Sequence, residues 1–100
     1  MEKKRAHYDL AAVHEAVARL GIRAFSRLAL KGGLEMGLSI EDMLETVASL
    51  APKMLHKSMT TYADHTIWQD VYHARTPNNR TAYVKLTMRN AAPVVQFKEK

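Results

Sequence analysis

The sequence predicts an α+β fold in which N-terminal helices pack on one face of a twisted antiparallel sheet. Three observations lead to this fold class. Apolar residues recur at helical spacing in the first half, polar and apolar residues alternate in the second half, and a Pro-Asn-Asn turn separates two extended segments there. The 100 residues are expected to form a single domain, residues 1–100, because so short a chain cannot divide its core in two.

The first predicted helix follows an aspartate that can cap it. Asp9 precedes the first apolar residue, and Gly21 comes directly after the last one, where a left-handed residue commonly ends a helix. A short extended segment is predicted from Ile22 to Phe25, after which Ser26 can cap a second helix. The apolar stripe of the first helix consists of Leu10, Val13, Val17 and Leu20.

A glycine pair and a proline shape the second and third predicted helices. Gly32 and Gly33 each weaken the second helix by about 1 kcal/mol relative to Ala. Ser39 opens the third helix, and Asp42 follows at the position that forms a capping box. This helix is predicted to end at Pro52, and its apolar face consists of Ile40, Met43, Leu44, Val47 and Leu50.

The second half predicts a β-hairpin. Residues 66–75 are rich in β-branched and aromatic side chains, Pro77-Asn78-Asn79 supplies turn chemistry, and residues 81–89 alternate strictly. One face of the second strand is therefore core and the other is polar. The core residues are Ala82, Val84, Leu86 and Met88, and the polar-face residues are Tyr83, Lys85, Thr87 and Arg89.

A turn at Asn90-Ala91 is predicted to return the chain as a further strand through residues 94–98. If the turn has two residues, the hydrophobic pattern fixes the register. The expected pairs are Leu86 with Val95 and Val84 with Phe97 on the core face, and Tyr83 with Lys98 and Lys85 with Gln96 on the polar face.

The composition indicates which class of partner the protein binds and in which cellular compartment it is expected. The formal net charge of +5 favours a polyanion such as nucleic acid. The absence of cysteine excludes disulfides and thiol chemistry, and agrees with a reducing cytoplasm. No apolar run is long enough for a signal peptide or a membrane span, so we expect a cytoplasmic protein without a membrane partner.

Histidines and aspartates cluster between residues 56 and 73, which raises the question of a metal site. The candidates are His56, His65 and His73, with Asp64 and Asp70. They lack the helical two-histidine spacing of zinc hydrolases, so no bound metal is expected, and Asp64 fits a local turn instead. A phosphate-binding glycine loop and a nucleophilic serine motif are also missing.

The polar sheet face, together with a loop containing Lys57, offers the kinds of group that RNA cleavage without metal or cofactor requires. Cleavage needs a group to deprotonate the 2′-hydroxyl, positive charge on the phosphorane oxygens, and a proton for the leaving 5′-oxygen. Lysines supply the charge, and a lysine crowded by other cations can act as a base. The alternative interpretation is that Lys85 and Lys98 are solubilising charges, Tyr83 a packing residue and Gln69 a surface amide.

Three strings resemble a known family. They are Lys57-Ser58-Met59-Thr60-Thr61-Tyr62, Asp64 to Tyr72 (DHTIWQDVY), and Phe97-Lys98-Glu99-Lys100. Together they closely resemble the MqsR toxins, mRNA interferases within the RelE/ParE-like superfamily. The likeness spans nearly the whole chain and is strongest from Lys57 to Tyr72. It implies a RelE-like, microbial-RNase-like sheet with N-terminal helices.

The resemblance also implies an activity and partners. Family members are toxins of type II toxin–antitoxin pairs that cut single-stranded mRNA within short GC-containing sequences, without the ribosome. The implied partners are mRNA and a cognate antitoxin, and the antitoxin carries the DNA-binding function, so DNA is contacted only indirectly. No cofactor is implied. The chain is thus expected to be one endoribonuclease toxin domain.

The family's active-site residues fall on Lys57, Gln69, Tyr83 and Lys98. The two lysines, far apart in sequence, are expected to meet over one RNA linkage. Met59 matches a family position near the substrate base, although methionine also fills cores readily.

This chain departs from the family pattern at two histidines. His56 replaces an aromatic residue and His73 replaces an arginine, and both positions can contact RNA, so the preferred sequence and the pH dependence are open. The hairpin at residues 76–81 is longer by about two residues, which affects the placement of Tyr83. The general base is open between His56 and a lysine of lowered pKa.

Two other functions fit the same basic face. One is a non-catalytic nucleic-acid-binding module, and the other is a ParE-like toxin acting on a different target such as gyrase.

Overall fold

The computed structural model describes residues 1–90 and 92–100 and confirms the α+β class, with three α-helices on one face of a five-stranded antiparallel sheet. The strands lie in sequence order, each beside the next. The helices are α1 (Leu10–Leu20), α2 (Arg27–Glu35) and α3 (Ile40–Ala48), with 3₁₀ turns at Gly21–Ala24 and Pro52–Met54. The strands are β1 (Glu2–Lys3), β2 (Leu55–Thr60), β3 (Trp68–Arg75), β4 (Thr81–Arg89) and β5 (Ala92–Glu99).

The predicted helix caps are confirmed. Asp9 accepts a hydrogen bond from the backbone N–H of Ala11, and Ser26 accepts one from Ala29. Ser39 and Asp42 form a complete capping box at the start of α3. Each cap satisfies backbone donors that the first turn of a helix leaves without partners.

Two predicted boundaries are wrong. Residues 22–25 were expected to be extended, but Gly21, with φ of 58°, turns the chain into a 3₁₀ helix and only Phe25 is extended. The helix α3 ends at Ala48 rather than at Pro52, and the hydroxyl of Ser49 donates to the carbonyl of Thr46, one of the acceptors that the last turn of a helix leaves without partners. Pro52 instead begins a 3₁₀ turn.

The strands β1 and β2 were not predicted, and Lys57 lies on β2 rather than in a loop. Strand β2 pairs with β3 through a bulge between Leu55 and Lys57. Strand β1 then pairs with β2, opposing Glu2 to Met59. The bulge breaks the alternation by which a sequence reveals a strand.

The predicted register of β4 and β5 is confirmed at all four expected pairs. Asn90 begins the connecting turn with φ of 52°, while Ala91, the second residue of that predicted turn, lies outside the described residues. The hydrophobic core lies between the sheet and the helices. Its fully buried members include Val13, Met43, Val47, Tyr72, Val84, Leu86 and Val95.

The glycines of α2 allow close packing on two sides. A Cβ at Gly32 would collide with the backbone carbonyl of Phe97 on β5, and a Cβ at Gly33 would collide with the side chain of Met43 on α3. The backbone N–H of Ser26 also donates to the carbonyl of Val95 at 3.0 Å. The segment entering α2, and α2 itself, therefore cover the outer edge of β5, which would otherwise expose unpaired backbone groups.

A buried carboxylate ties the N-terminal segment to the core side of β3. Asp70 is 1% exposed, and its oxygens accept hydrogen bonds of 2.9–3.0 Å from the backbone N–H groups of His7 and Tyr8. The hydroxyl of Tyr8 donates to the carbonyl of Trp68 at 2.7 Å. Within residues 1–90 and 92–100, no helix is long and apolar enough to cross a membrane.

Candidate active site

The sheet face that points away from the helices, here called the free face, carries every predicted site residue. Alternation along each strand places Gln69 and His73 opposite to the buried Asp70, Tyr72 and Ala74 of β3. Residues paired across neighbouring strands point to the same face of a sheet, so the partners of these two residues are also on the free face. The pairs are Gln69 with Met59, His73 with Tyr83, and Tyr83 with Lys98. His56 at the β2 bulge joins the face by stacking on His73.

Aromatic side chains form one row across the free face. The rings of His56 and His73 stack with centroids 4.4 Å apart and an interplanar angle of 21°. The ring of Tyr83 meets His73 edge-on at 4.7 Å, and the ammonium of Lys98 lies 5.9 Å from the Tyr83 ring centroid. Flat rings next to a cation form a surface on which RNA bases can stack.

The surroundings of His73 favour its neutral form. Burial lowers the pKa of its imidazole, and the positive charges of Lys100 and His56 lower it further. Its Nε2 atom is buried and has no hydrogen-bond partner among the described residues. A neutral imidazole can stack on His56 and Tyr83 without charge repulsion.

A second row across the free face is cationic at its centre. The cross-strand pairs Lys57 with Val71, Val71 with Lys85, and Lys85 with Gln96 place these side chains in line from β2 to β5. Half-burial lowers the pKa of the Lys85 ammonium, and the neighbouring charges of Lys98 and Lys57 lower it further. Lys85 therefore releases its proton more readily than an ordinary lysine.

Lys57 is held by an acidic residue that sequence analysis missed. Its Nζ donates to Oε1 of Glu2 at 2.8 Å. This hydrogen bond and the charge of Lys57 lower the pKa of the Glu2 carboxyl, which therefore stays ionised beside the cationic row. No sequence signal points to Glu2, because the two-residue strand β1 has no periodicity of its own.

The two lysines that are predicted to be catalytic lie on the same face but come from strands that are not neighbours. The strands that carry them, β2 for Lys57 and β5 for Lys98, are three strand spacings apart, or about 14 Å. Lys85 on β4 lies on a strand between them, and the charges of both lysines act on its ammonium. The sequence predicts Lys85 on the polar face. Its position between Lys57 and Lys98 depends on β2, which the sequence does not predict.

The acidic and imidazole groups weighed as metal ligands are dispersed. His56 and His73 are on the free face, Asp70 is buried on the core side, and His65 is exposed in the β2–β3 loop. Asp64 has the predicted local role, since Oδ1 accepts hydrogen bonds from the backbone N–H and the hydroxyl of Thr66. No metal-binding group of three or more such residues occurs in the part of the chain described.

An open cavity of about 380 Å³ adjoins the free face at β4 and β5. Its sheet wall includes the predicted site residues Tyr83 and Lys98, with Lys85 and Gln96. Its other wall is α2, through Leu28, Lys31, Gly32 and Glu35. The cavity is therefore continuous with the candidate active site.

Comparison with known proteins identifies the family of this chain. A sequence model of the family described as "Motility quorum-sensing regulator, toxin of MqsA" matches residues 5–99. The chain is also 40% identical, over 100 residues, to the mRNA interferase toxin MqsR of Escherichia coli (strain K12), and the match covers all of both chains. The chain therefore belongs to the MqsR toxin family.

Proposed function

We propose that this protein is an endoribonuclease, the toxin of a toxin–antitoxin pair, and that it cleaves single-stranded mRNA at its free face without metal or ribosome. The carrying observation is that Lys57, Gln69, Tyr83 and Lys98, which come from four different strands, share that one face. Family membership supplies the reaction class, and the cationic row supplies the charge that the reaction needs.

In the proposed reaction the 2′-oxygen of a ribose attacks the adjacent phosphorus. Its proton passes to a base, the P–O5′ bond breaks, and the 5′-oxygen takes up a proton, which leaves a cyclic 2′,3′-phosphate and a 5′-hydroxyl. The ammonium groups of Lys57 and Lys98 stabilise the negative charge that develops on the phosphorane. Gln69 holds the phosphate or the ribose, and Tyr83 positions the base or relays a proton.

The structure favours Lys85 as the lysine of lowered pKa that removes the 2′-proton. It lies between Lys57 and Lys98, so it reaches the same phosphate that they stabilise. Its neutral amine is populated at lower pH than that of an ordinary lysine, because of its burial and the two neighbouring cations. His56 is the alternative base, but its ring is committed to stacking on His73.

Recognition of the RNA would use the remaining free-face residues. His56 and His73 offer stacking surfaces, and Met59 lies beside Gln69 where a base can rest. We propose short GC-containing sequences as the cleavage sites, as the family resemblance implies. An unpaired strand is required because bases in a duplex cannot stack on these rings.

The proposed partner is a cognate antitoxin that binds the toxin and carries the DNA contacts of the pair. We propose the cytoplasm as the location of this activity, because the proposed mRNA substrate is exposed there.

The test is cleavage of a single-stranded RNA with GC steps, in EDTA, by the wild-type protein and by the Lys57→Ala and Lys98→Ala variants. We expect cleavage in EDTA and a loss of about 100-fold in rate for each variant. Lys53→Ala, which removes an exposed lysine outside the sheet, is the matched control and should cut normally.

Three results would contradict the proposal. Loss of cutting in EDTA would indicate a metal enzyme, and undiminished cutting by both variants would remove the site assignment. RNA binding without cutting by the wild-type protein would indicate a binding module.

A further inference from the structure

The helix α2 forms one wall of the cavity beside the proposed active site. Leu28, Lys31, Gly32 and Glu35 face the sheet residues Lys85 and Lys98 across about 380 Å³. This volume lies within the range of sites that bind small organic groups, roughly 300–1,000 Å³. We refer to this cavity as the α2 groove.

The α2 groove exists because α2 runs close along the outer edge of β5. Gly32 has no Cβ to collide with the carbonyl of Phe97, so the helix backbone can lie against the strand. Leu28 then projects beside the free face and remains 75% exposed. Leu34 is also 75% exposed on the same helix, but it does not line the groove.

The lining matches the parts of a nucleotide. Leu28 and the ring of Tyr83 offer apolar surface for the faces of a base, and Lys85 and Lys98 offer charge for its phosphate. Lys31 and Glu35 provide a donor and an acceptor for base edges. Their mutual ion pair, at 4.0 Å and largely exposed, is too weak to prevent either group from turning to a ligand.

We propose that the α2 groove holds one base of the single-stranded RNA substrate, from a nucleotide next to the scissile linkage. This inference rests on the proposed function and adds a specificity site to it. Two residues of the groove, Tyr83 and Lys98, belong to the proposed catalytic set, so a strand bound there continues directly into the groove.

The test combines protein variants with a scan of the RNA. The probe is a labelled RNA that contains the cleavage sequence, with a 2′-deoxy nucleotide at the cleavage position so that it binds without being cut. A set of otherwise identical RNAs each lacks one base. Dissociation constants are measured for the wild-type protein, Leu28→Ala and the matched control Leu34→Ala.

We expect Leu28→Ala to weaken binding of the complete RNA about fivefold, the low end of what one stacked base contributes, and Leu34→Ala to leave it unchanged. For one RNA of the set, the one that lacks the base held in the groove, Leu28→Ala should cause no further loss. Lys31→Ala should behave as Leu28→Ala does, whereas Arg27→Ala, which removes a cation of α2 outside the groove, should have a smaller effect.

The proposal is overturned if Leu28→Ala and Leu34→Ala change the dissociation constant equally, or if the Leu28→Ala effect persists for every abasic RNA. Both leucines are exposed, so each variant should keep the wild-type melting temperature. Cleavage of the all-ribose RNA by the wild-type protein and by Lys98→Ala is measured in parallel. If the wild-type protein does not cleave this RNA, the proposed function is wrong. The dissociation constants of the Leu28→Ala and Leu34→Ala variants still test whether the groove binds a base.

Discussion

The ammonium of Lys57 donates a hydrogen bond of 2.8 Å to the carboxylate of Glu2, across the pairing of β1 with β2. A proposed phosphate-binding cation is thus already neutralised by an acidic partner in the unbound protein. RNA phosphate has to compete with this carboxylate for Lys57. The ion pair positions the lysine but also weakens its attraction for the substrate.

Glu2→Gln should therefore tighten RNA binding. The substitution removes the competing charge, and we expect the dissociation constant at low salt to fall about two- to fivefold, with a steeper salt dependence. Folding stability should change little because the Glu2 carboxylate is exposed to solvent. Binding is measured by fluorescence anisotropy with an uncleavable RNA.

The control for this prediction is Glu99→Gln. It removes the same charge from an exposed pair with Arg80, but Glu99 opposes Ala82 and so lies off the free face. Equal tightening by both variants would show that net charge alone, rather than release of Lys57, is responsible.

Lys85→Arg should abolish cleavage even though it keeps the positive charge. An arginine does not lose its proton, so it cannot remove the 2′-proton. We expect a loss of at least about 100-fold in single-turnover rate. In the wild-type protein the cleavage rate should rise with pH until the neutral form of Lys85 predominates. Because the pKa of Lys85 is lowered, this plateau should begin at a lower pH than it would for a lysine of ordinary pKa.

Lys98→Arg is the matched variant, because a charge-stabilising role tolerates arginine better than a basic role does. Lys85→Arg with wild-type activity would exclude Lys85 as the base. If His56→Phe, which keeps a ring at the stack, loses activity instead, the base is His56.

The pKa of His73 predicts how stability depends on pH. Because burial first, and then Lys100 and His56, lower this pKa, the folded protein binds fewer protons than the unfolded chain near the usual histidine range. Neutral His73 therefore leaves the folded state at full stability above the usual histidine pKa. Stability is lost as the pH falls from that pKa towards the lowered pKa of the folded protein. His73→Phe, which keeps the ring but cannot be protonated, should flatten the decline.

The measurement is the free energy of unfolding by urea, between about pH 7 and about pH 5, for the wild type and His73→Phe. His65→Gln, which removes an exposed imidazole in the β2–β3 loop, is the control and should keep the wild-type slope. An unchanged slope in His73→Phe would mean that other groups cause the pH dependence.

Gly32→Ala should destabilise the protein more than Gly33→Ala. Alanine gains about 1 kcal/mol in helix propensity at either position, but at Gly32 its Cβ meets the rigid backbone of Phe97, a clash that we expect to cost about 1–3 kcal/mol. At Gly33 the obstacle is the flexible side chain of Met43, which can move. Urea denaturation of both variants tests the order, and equal stability would contradict it.

Those parts of the fold that have strong local signals could be predicted from the sequence. The caps at Asp9, Ser26 and Ser39 and the register of β4 with β5 are all present in the structure. Each is specified within a few residues, by one side-chain oxygen or by alternation along one strand. The family resemblance is also confirmed by the comparisons.

What could not be predicted depends on contacts distant in sequence. The bulge at His56 disrupts the alternation of β2, so Lys57 was read as a loop residue. Strand β1 is two residues long and is defined by its pairing with the edge of β2. The sequence around Glu2 therefore contains no pattern that predicts a strand. The proposed role of Lys85 depends on the charges of Lys57 and Lys98, which lie on two other strands. The assignments of individual site residues stay predictions until the variants are measured.

Strand β3 carries Gln69 and His73 on one side and Asp70 and Tyr72 on the other, one residue apart. A shift of its pairing by a single position would turn the polar chemistry inwards and the apolar side chains outwards. A copy of this chain with that shifted pairing would bury the residues of the proposed active site. The eight residues of β3 therefore specify both the core face of the sheet and the face that carries the proposed site.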